Sequence, residues 1–311
     1  MSGTGGDLTI LDLVLEPLQY DFMIRALTTT VIAAVLCSVL SCWLVLIGWS
    51  LMGDAVSHAV LPGVVLAYIL GIPFAIGALV FGLLAVVGIG TISATSRVKE
   101  DAAIGIVFST LFALGLVLIS VTPSQTDLNH IIFGNILGVS STDLLQVGGL
   151  AAIGLALLLL KRRDLTLYAF DPIQCHALGI STRWLRALLL GMLALTSVVS
   201  LQVVGVVLVV AMLIIPGATA YLLTDRFSRM LLIAPVVSVT CAVVGIYLSY
   251  WIDAASGGLV VVTQGLIFVT VYLLSPRHGL LSQLRTSRRP VETPASGEIP
   301  TPASAVGESS A

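Results

Sequence analysis

The chain has 311 residues, of which 58% are hydrophobic and 10% are charged, with a mean hydropathy of +1.10 and a formal net charge of −2. Soluble domains carry about 25% charged residues, so this composition excludes an ordinary soluble domain. The sequence has no extended basic segment of the kind that would indicate a nucleic-acid partner. Repeated apolar runs of about 20 residues can each cross a hydrocarbon core of about 30 Å. We therefore predict an all-α, polytopic transmembrane helical bundle in a lipid bilayer.

The N-terminal segment, residues 1–21, is acidic and lacks a basic region followed by an apolar core. We therefore expect no cleavable signal peptide. The four cysteines are scattered without a CxxC pair. This spacing predicts neither a disulfide framework nor a thiolate metal site, and no permanently bound cofactor is expected.

The membrane domain is predicted at 22–276. Charge breaks and Gly/Pro positions divide it into spans at 24–47, 56–72, 75–95, 102–121, 142–160, 230–251 and 257–275. The apolar run 187–223 is too long for one helix. Two passes broken near Gln202–Gly205 give nine spans in total, whereas one pass with a re-entrant piece gives eight.

Basic residues cluster in a few segments between the spans. Nine spans place all of these segments on the cytoplasmic side, in agreement with the positive-inside rule. The same topology leaves segment 1–21 and loop 122–141 outside and the C-terminus inside. The tail 277–311 is basic at first and then rich in Pro, Ser and Ala. Such a composition cannot bury a core, so we expect a disordered cytoplasmic extension.

The stretch MGDAVSHAVLPG, residues 52–63, places Asp54 and His58 four residues apart inside apolar sequence. An Asp at the centre of a membrane helix costs about 2.5–3.5 kcal/mol, so an ionisable group there indicates a functional site. Positions i and i+4 share one helix face with Cβ atoms about 5–6 Å apart. A carboxylate and an imidazole at that separation can reach one divalent cation, and suit Mn²⁺, Fe²⁺ or Zn²⁺.

A simpler interpretation of the same pair is structural. Asp54 would cap the second helix, and His58 would only hydrogen-bond to it. The spacing alone does not decide between a cap and an ion site. Pro62 and Gly63 follow within one turn of His58 and weaken the helix, as happens where backbone lines a cavity. That feature favours the ion pathway.

Several strings resemble the metal-ion permease family of ABC importers. They are LMGDAVSHAVLPGVVLAYILG, KEDAAIGIVFSTLFALGLVLIS, TPSQTDLNHIIFGNILGVS and VGVVLVVAMLIIPGATAYLL. Together they cover nearly the whole chain apart from its ends, and the GDAxSHAVLPG string is highly specific. TDLNHIIFGNILGVS resembles the manganese/iron branch more than the zinc branch.

The resemblance implies a type II-like importer membrane subunit in the bacterial cell membrane. In the family, the Asp and His matching Asp54 and His58 lie in the translocation path and contact the ion. The family works as a pair of membrane subunits, either a homodimer or a pair with a paralogous permease, together with a cytoplasmic ATPase dimer and an extracytoplasmic metal-binding protein. A homodimer would bring together two Asp/His pairs, and therefore four ligands.

The cytoplasmic loop 161–186 contains LTLYAFDPIQCHALGISTRWLR. Asp-Pro is a typical helix start, and a glycine closes a helix. The segment resembles the coupling helix by which ABC importers dock on their ATPase, with the matching positions at Asp171, Pro172, Gln174, Ala177, Leu178 and Gly179. The plainer alternative is an interfacial helix lying on lipid. We expect the neighbouring His176 to be an exposed helix residue and not a metal ligand.

Two further sites are weaker predictions. Asp127 and His130 lie in the predicted outer loop, where they could attract cations at the entrance or simply be solvated. Pro216 and Gly217 are predicted to break their helix near the cytoplasmic side. In the family this region lines the inner path, which makes the pair a candidate gate.

Missing motifs limit the function classes. No GxxxxGK[ST] string occurs, so the chain is not expected to hydrolyse ATP itself. No HExxH occurs, and Ser57 next to His58 points about 100° away on a helix, which disfavours an intramembrane hydrolase. The predicted function is import of Mn²⁺, or Fe²⁺, by ATP-driven alternating access. The alternatives are a zinc-importing ABC permease and an ATP-independent secondary transporter or channel.

Overall fold

The computed structural model describes residues 16–122 and 138–275. Within those ranges the regular structure is helical, with a 3₁₀ turn at Pro17–Gln19 and no strand. The helices of the first range are α1 Asp21–Ile47, α2 Ser50–Ala59, α3 Leu61–Leu70, α4 Phe74–Thr95 and α5 Glu100–Val121. Those of the second are α6 Ser141–Leu160, α7 Arg162–Phe170, α8 Pro172–Ala177, α9 Thr182–Val204, α10 Val206–Leu223, α11 Phe227–Ile252 and α12 Ser256–Leu274.

Eight helical segments of the described ranges are long and apolar enough to cross a membrane, with α2 and α3 acting as one span. A ninth arises if α6 and α7, which meet at a bend of 64°, are counted together as a broken span. The predicted all-α polytopic bundle is therefore confirmed, with eight or nine spans. The ambiguity lies at α6, however, and not at 187–223 as the sequence suggested.

The run 187–223 divides at Gly205, inside the predicted interval, and both α9 and α10 are long enough to be spans. Gly205 has φ +81° and ψ 164°, a conformation that a residue with a Cβ rarely adopts. Two passes thus replace the single pass with a re-entrant piece.

The basic loops meet at one end of the bundle. Arg186 at the start of α9 lies beside Glu100 at the start of α5, with Nη2 3.0 Å from Oε1. At the same end, the Ser275 hydroxyl donates to the Leu222 carbonyl at 2.9 Å. At the opposite end, the Tyr20 ring lies 6.3 Å from that of Tyr250. The N-terminal and C-terminal ends of the described chain therefore lie at opposite ends of the bundle, as an odd number of crossings requires.

Helix α1 forms the centre of the core. It packs against α6, α9, α10 and α11, and its Trp43 side chain is fully buried. The helix is apolar on all sides, as expected of a helix surrounded by other helices. Helices α4, α5 and α12 lie at the periphery of the single chain, and only 28%, 22% and 11% of their apolar windows are buried in it.

Helices α3 and α4 cross with their backbones in contact. A Cβ built on Gly63 would lie 2.6 Å from the Gly77 carbonyl carbon and 2.9 Å from the Phe81 ring. A Cβ on Gly77 would lie 2.8 Å from the Ala67 Cβ. Small residues permit this close approach of membrane helices. Pro62 occupies the first turn of α3 after a break at Val60, so the predicted local weakness is present, but Gly63 serves the crossing.

The predicted helix end at Pro216 and Gly217 is wrong, because α10 continues through both residues to Leu223. Ser41 of α1 explains how the helix accommodates the proline. Its hydroxyl accepts the Gly217 N–H at 3.1 Å and donates to the Ile214 carbonyl at 3.4 Å. A neighbouring helix thus satisfies backbone groups around the proline, a common solution in membranes.

Two predictions lie outside the described residues: the outer entrance at Asp127 and His130, and the tail 277–311.

Candidate functional site

The helix α2 places Asp54 and His58 one turn apart on one face. Because α2 begins at Ser50, after Trp49 as its N-cap, Asp54 lies in the second turn and does not cap the helix. The interpretation of Asp54 as a helix cap is therefore wrong. The His58 Nε2 lies 3.3 Å from the Asp54 Oδ1, with side chains 30% and 38% exposed, respectively. The pair is accessible from one side.

The separation of the two atoms is compatible with a shared ion. Nitrogen and oxygen ligands lie about 2.1 Å from a first-row cation such as zinc, so two ligands of one ion are about 3.0 Å apart at a right angle and about 3.4 Å apart in a tetrahedron. The observed 3.3 Å falls between these values. Asp54 and His58 can thus occupy neighbouring positions around one divalent ion.

Two phenylalanines of α5 hold the imidazole ring. Phe108 and Phe112 present their rings to His58 at centroid distances of 5.6 and 5.4 Å, with interplanar angles of 64° and 81°. The two phenyl rings stack on one another at 5.8 Å. Edge-to-face contacts of this kind are favourable and restrict ring rotation. They keep the His58 ring in place beside Asp54.

A small cavity of about 80 Å³ adjoins His58. Its lining is apolar apart from Ser57 and His58, and it includes Leu201 and Val206 on either side of the α9–α10 break. The Ser57 hydroxyl donates to the Gly53 carbonyl of its own helix at 2.8 Å and is therefore already satisfied. Among the described residues that line this cavity, the imidazole of His58 is the one titratable group.

Within the described ranges, no third side chain of a usual metal-ligating type joins Asp54 and His58. No group of three or more His, Cys, Asp or Glu side chains that could hold a metal occurs in the described part of the chain. One carboxylate and one imidazole provide two ligands, whereas protein sites for first-row cations use four or more positions. The remaining positions must come from water or from another subunit.

The predicted short helix in loop 161–186 is present as α8. The Asp171 carboxylate caps it and accepts the N–H groups of Ile173 at 3.0 Å and Gln174 at 2.9 Å. Pro172 occupies the first turn, where no N–H is needed. Gly179 follows the helix with φ +75°, a conformation that favours glycine and ends the helix. The local sequence thus determines both ends of α8.

The surface of α8 and its flanks is unusually apolar for a polar loop. Ile173 is 83% exposed and Leu178 63% exposed, and Phe170 just before the helix is 62% exposed. His176 is exposed, as predicted. Cys175 is the buried residue of α8, and burial, together with the nearby Asp164 carboxylate, raises the pKa of its thiol. The remaining surface is available to a partner.

Arg186 connects the end of loop 161–186 to the start of α2, the helix that carries Asp54 and His58. Besides its ion pair with Glu100, its guanidinium lies over the Trp49 ring, 5.5 Å from the centroid. Trp49 is buried and is the N-cap of α2. A displacement of the loop can therefore reach the helix that carries Asp54 through one side chain.

Sequence reasoning missed Phe108, Phe112, Ile173 and the Arg186–Glu100 pair. The two phenylalanines had a detectable signal, since they lie at i and i+4 on one helix face. The proximity of Arg186 and Glu100 had none, because 86 residues separate them along the chain.

These features define a polytopic helical membrane protein with an acid–imidazole pair inside a span and a short capped helix, α8, in the loop at one end. The chain matches the model of the ABC 3 transport family over residues 19–275 and belongs to that family. It is therefore the membrane-spanning permease subunit of an ABC transporter, a non-catalytic subunit that works with a separate ATPase.

Individual relatives are similar over most of their length. The chain is 51% identical over 270 residues to the manganese transport system membrane protein MntB of Synechocystis sp., covering 87% of this chain and 88% of that protein. It is 49% identical over 264 residues to the chelated iron transport system membrane protein YfeD of Yersinia pestis, covering 85% and 89%. PsaBC from Streptococcus pneumoniae, solved in complex with Fab, superposes with a TM-score of 0.80 at 39% identity, covering 89% of this chain and 100% of that one.

Proposed function

We propose that this permease imports Mn²⁺, with Fe²⁺ as a second substrate, through a dimer of membrane subunits by alternating access. The single observation that carries the proposal is the Asp54–His58 pair, whose 3.3 Å separation suits one divalent ion. Support for the metal comes from the manganese and chelated-iron transport proteins to which the chain is similar. An Asp/His pair alone would bind Zn²⁺ more tightly than Mn²⁺ or Fe²⁺, so selection needs further determinants, such as a binding protein.

The proposed path begins at the end of the bundle where α9 meets α10. The cavity beside His58 reaches Leu201 and Val206 at that end. Asp54 lies one turn before His58 in α2, on the side of the end with the basic loops. Under the positive-inside rule the basic end is cytoplasmic, so the ion passes His58 and then Asp54, and the C-terminus is cytoplasmic. A binding protein would deliver the ion at the opposite, extracytoplasmic face of the bacterial cell membrane.

The dimer supplies what one chain lacks. Two ligands form an incomplete cage, and both side chains remain partly exposed in the single chain. A second copy across a twofold axis would add another Asp54 and His58, giving four protein ligands with water in the remaining positions.

The coupling step is assigned to α8. The exposed side chains of Ile173, in α8, and Leu178, directly after it, form an apolar surface that would fit an ATPase cleft. The Asp171 cap stabilises the helix. From there the Arg186 contacts to Glu100 and Trp49 lead to α2. We assign the candidate gate on the inner path to the buried Pro216–Gly217 pair, where the proline removes one backbone N–H from α10.

The test of the ion site is uptake of radioactive Mn²⁺ in a transport-deficient strain, with Fe²⁺ and Zn²⁺ as competitors. Asp54→Asn and His58→Gln should each abolish uptake without loss of expression or dimer assembly. Ser57→Ala is the matched control, because Ser57 is next to His58 and its hydroxyl bonds within its own helix. Wild-type uptake by both site variants would refute the ion site, and stronger competition by Zn²⁺ than by Fe²⁺ would assign the chain to zinc import.

The test of the coupling helix separates ATP hydrolysis from transport. Leu178→Asp and Asp171→Ala should leave the partner's basal ATPase activity intact and prevent its stimulation by the metal-loaded binding protein. The control is His176→Ala, since His176 lies on the same helix and is exposed without a predicted role. Unchanged stimulation in both variants would show that α8 does not dock. Uptake into liposomes without ATP would refute an ABC mechanism altogether.

A further inference from the structure

A second cavity, of about 480 Å³, lies at the basic end of the bundle between α7 and the start of α11. Its volume is within the range of about 300–1,000 Å³ that is typical of small-molecule sites. The polar part of its lining includes Arg162, Arg163 and Ser228, and the apolar part includes Phe170, Phe227 and Leu231. The cavity thus combines two positively charged side chains with an apolar lining.

No carboxylate within the described ranges forms an ion pair with the two arginines of this cavity. Arg162 and Arg163 form no ion pair there, whereas the neighbouring Lys161 is 3.3 Å from the Asp164 carboxylate. The N-terminus of α11 adds to the field, because no side chain caps the amide groups of its first turn. Unpaired N–H groups and the helix dipole favour an anion at such an end. The cavity therefore fits a ligand with a negatively charged, phosphate-like group.

The apolar part of the cavity continues along the membrane-facing side of α11. Leu232 and Val236 follow Ser228 at successive steps of four residues and are 70% and 65% exposed. Steps of four residues lie on one helix face. Since α11 is a membrane span that begins at Phe227, the cavity lies at the membrane surface and the stripe runs into the hydrocarbon.

We propose that this cavity binds an anionic phospholipid. The phosphate is held between Arg162 and Arg163, and one acyl chain lies along Leu232 and Val236. Basic pockets between membrane helices on the cytoplasmic side are suited to anionic headgroups. An acidic segment of the ATPase could pair with the arginines but would leave the apolar stripe inside the membrane uncovered. The combination of charge and stripe favours the lipid.

The experiment measures phosphatidylglycerol and phosphatidylcholine binding to the purified full-length chain by native mass spectrometry. The paired substitution Arg162→Gln/Arg163→Gln should weaken phosphatidylglycerol binding by about 30-fold, because each arginine near an anionic lipid contributes about fivefold. Phosphatidylcholine binding should not change. A second variant, Ser228→Phe, fills the cavity without altering charge and should also lose the preference for phosphatidylglycerol.

The matched control is Arg97→Gln/Arg183→Gln, which removes the same charge from exposed positions at the same end of the bundle. It should weaken phosphatidylglycerol binding by less than about threefold, since these arginines do not line the cavity. Equal losses in the two paired variants would overturn the proposal, because the effect would then be one of net charge. Competition by inorganic phosphate at equal concentration would indicate a soluble anion instead of a lipid. Loss of ATPase binding with intact lipid preference would make the cavity a protein interface.

Discussion

The crossing of α3 and α4 at Gly63 and Gly77 makes a quantitative prediction about stability. In Gly77→Ala, the new Cβ would lie 2.8 Å from both the Ala67 Cβ and the Gly63 carbonyl carbon, whereas ordinary contact begins at 3.4 Å. The Gly63 carbonyl oxygen lies closer still, so the helices must separate by more than about 0.6 Å, and neither neighbour can rotate away. Overpacking of this kind costs about 1–3 kcal/mol. We take the upper end, because backbone and Cβ atoms have no alternative rotamer.

The matched control is Gly90→Ala on the same helix α4, where a Cβ would meet nothing within 4 Å. Both variants gain helix propensity, at most about 1 kcal/mol, so the predicted difference between them is about 3 kcal/mol. The assay is the free energy of reversible unfolding in SDS for the purified chain. If Gly77→Ala is as stable as Gly90→Ala, the backbones do not cross as described.

Three further predictions concern side chains away from the ion site. Arg186→Gln should cost about 1 kcal/mol of unfolding free energy, because a partly exposed ion pair and a cation–π contact are each worth up to about 1 kcal/mol. A double-mutant cycle with Glu100→Gln measures the ion pair, and additive effects of the two substitutions would refute it. Ser41→Ala should cost about 1–3 kcal/mol of unfolding free energy, because it leaves the buried Gly217 N–H without its Ser41 partner. The control Ser38→Ala loses only a hydrogen bond within α1 and should cost less. Equal losses in thermal unfolding would contradict the contact between Ser41 and Gly217. Near neutral pH a maleimide should label the wild-type chain slowly, because burial raises the pKa of Cys175 and leaves little thiolate. His176→Cys should add one rapidly labelled site that a docked ATPase protects. Fast labelling of Cys175 itself would be inconsistent with its burial.

The helices could be predicted because their signals are local. Apolar runs between charged or Gly/Pro positions located most spans to within a few residues, including the division at Gly205, but α2 begins at Ser50 instead of 56 and α9 at Thr182 instead of 187. The ends of α8 were equally readable from Asp171-Pro172 and Gly179. The continuation of α10 through Pro216 could not be predicted, because it depends on a contact that is distant in sequence. The helix continues because a hydroxyl from α1, distant in sequence, satisfies the backbone beside the proline.

The candidate site was only partly predictable. The four-residue spacing placed Asp54 and His58 on one helix face, and the resemblance to a permease family suggested their role. The spacing could not decide between a helix cap and an ion site. The start of α2 at Ser50 excludes the cap, whereas the 3.3 Å separation of the two side chains is compatible with an ion site, which stays a prediction.

Sequence alone thus determined the class of protein, its spans and the Asp54–His58 pair, because hydrophobic length, charge and helical spacing act between near neighbours in the chain. Tertiary structure alone decided what surrounds that pair. Phe108 and Phe112 hold the His58 ring from α5, and Arg186 connects the end of loop 161–186 to Trp49. It also placed Arg162 and Arg163 opposite Phe227 in one cavity. These contacts join residues tens of positions apart, and they depend on which helices pack together, which no local pattern specifies.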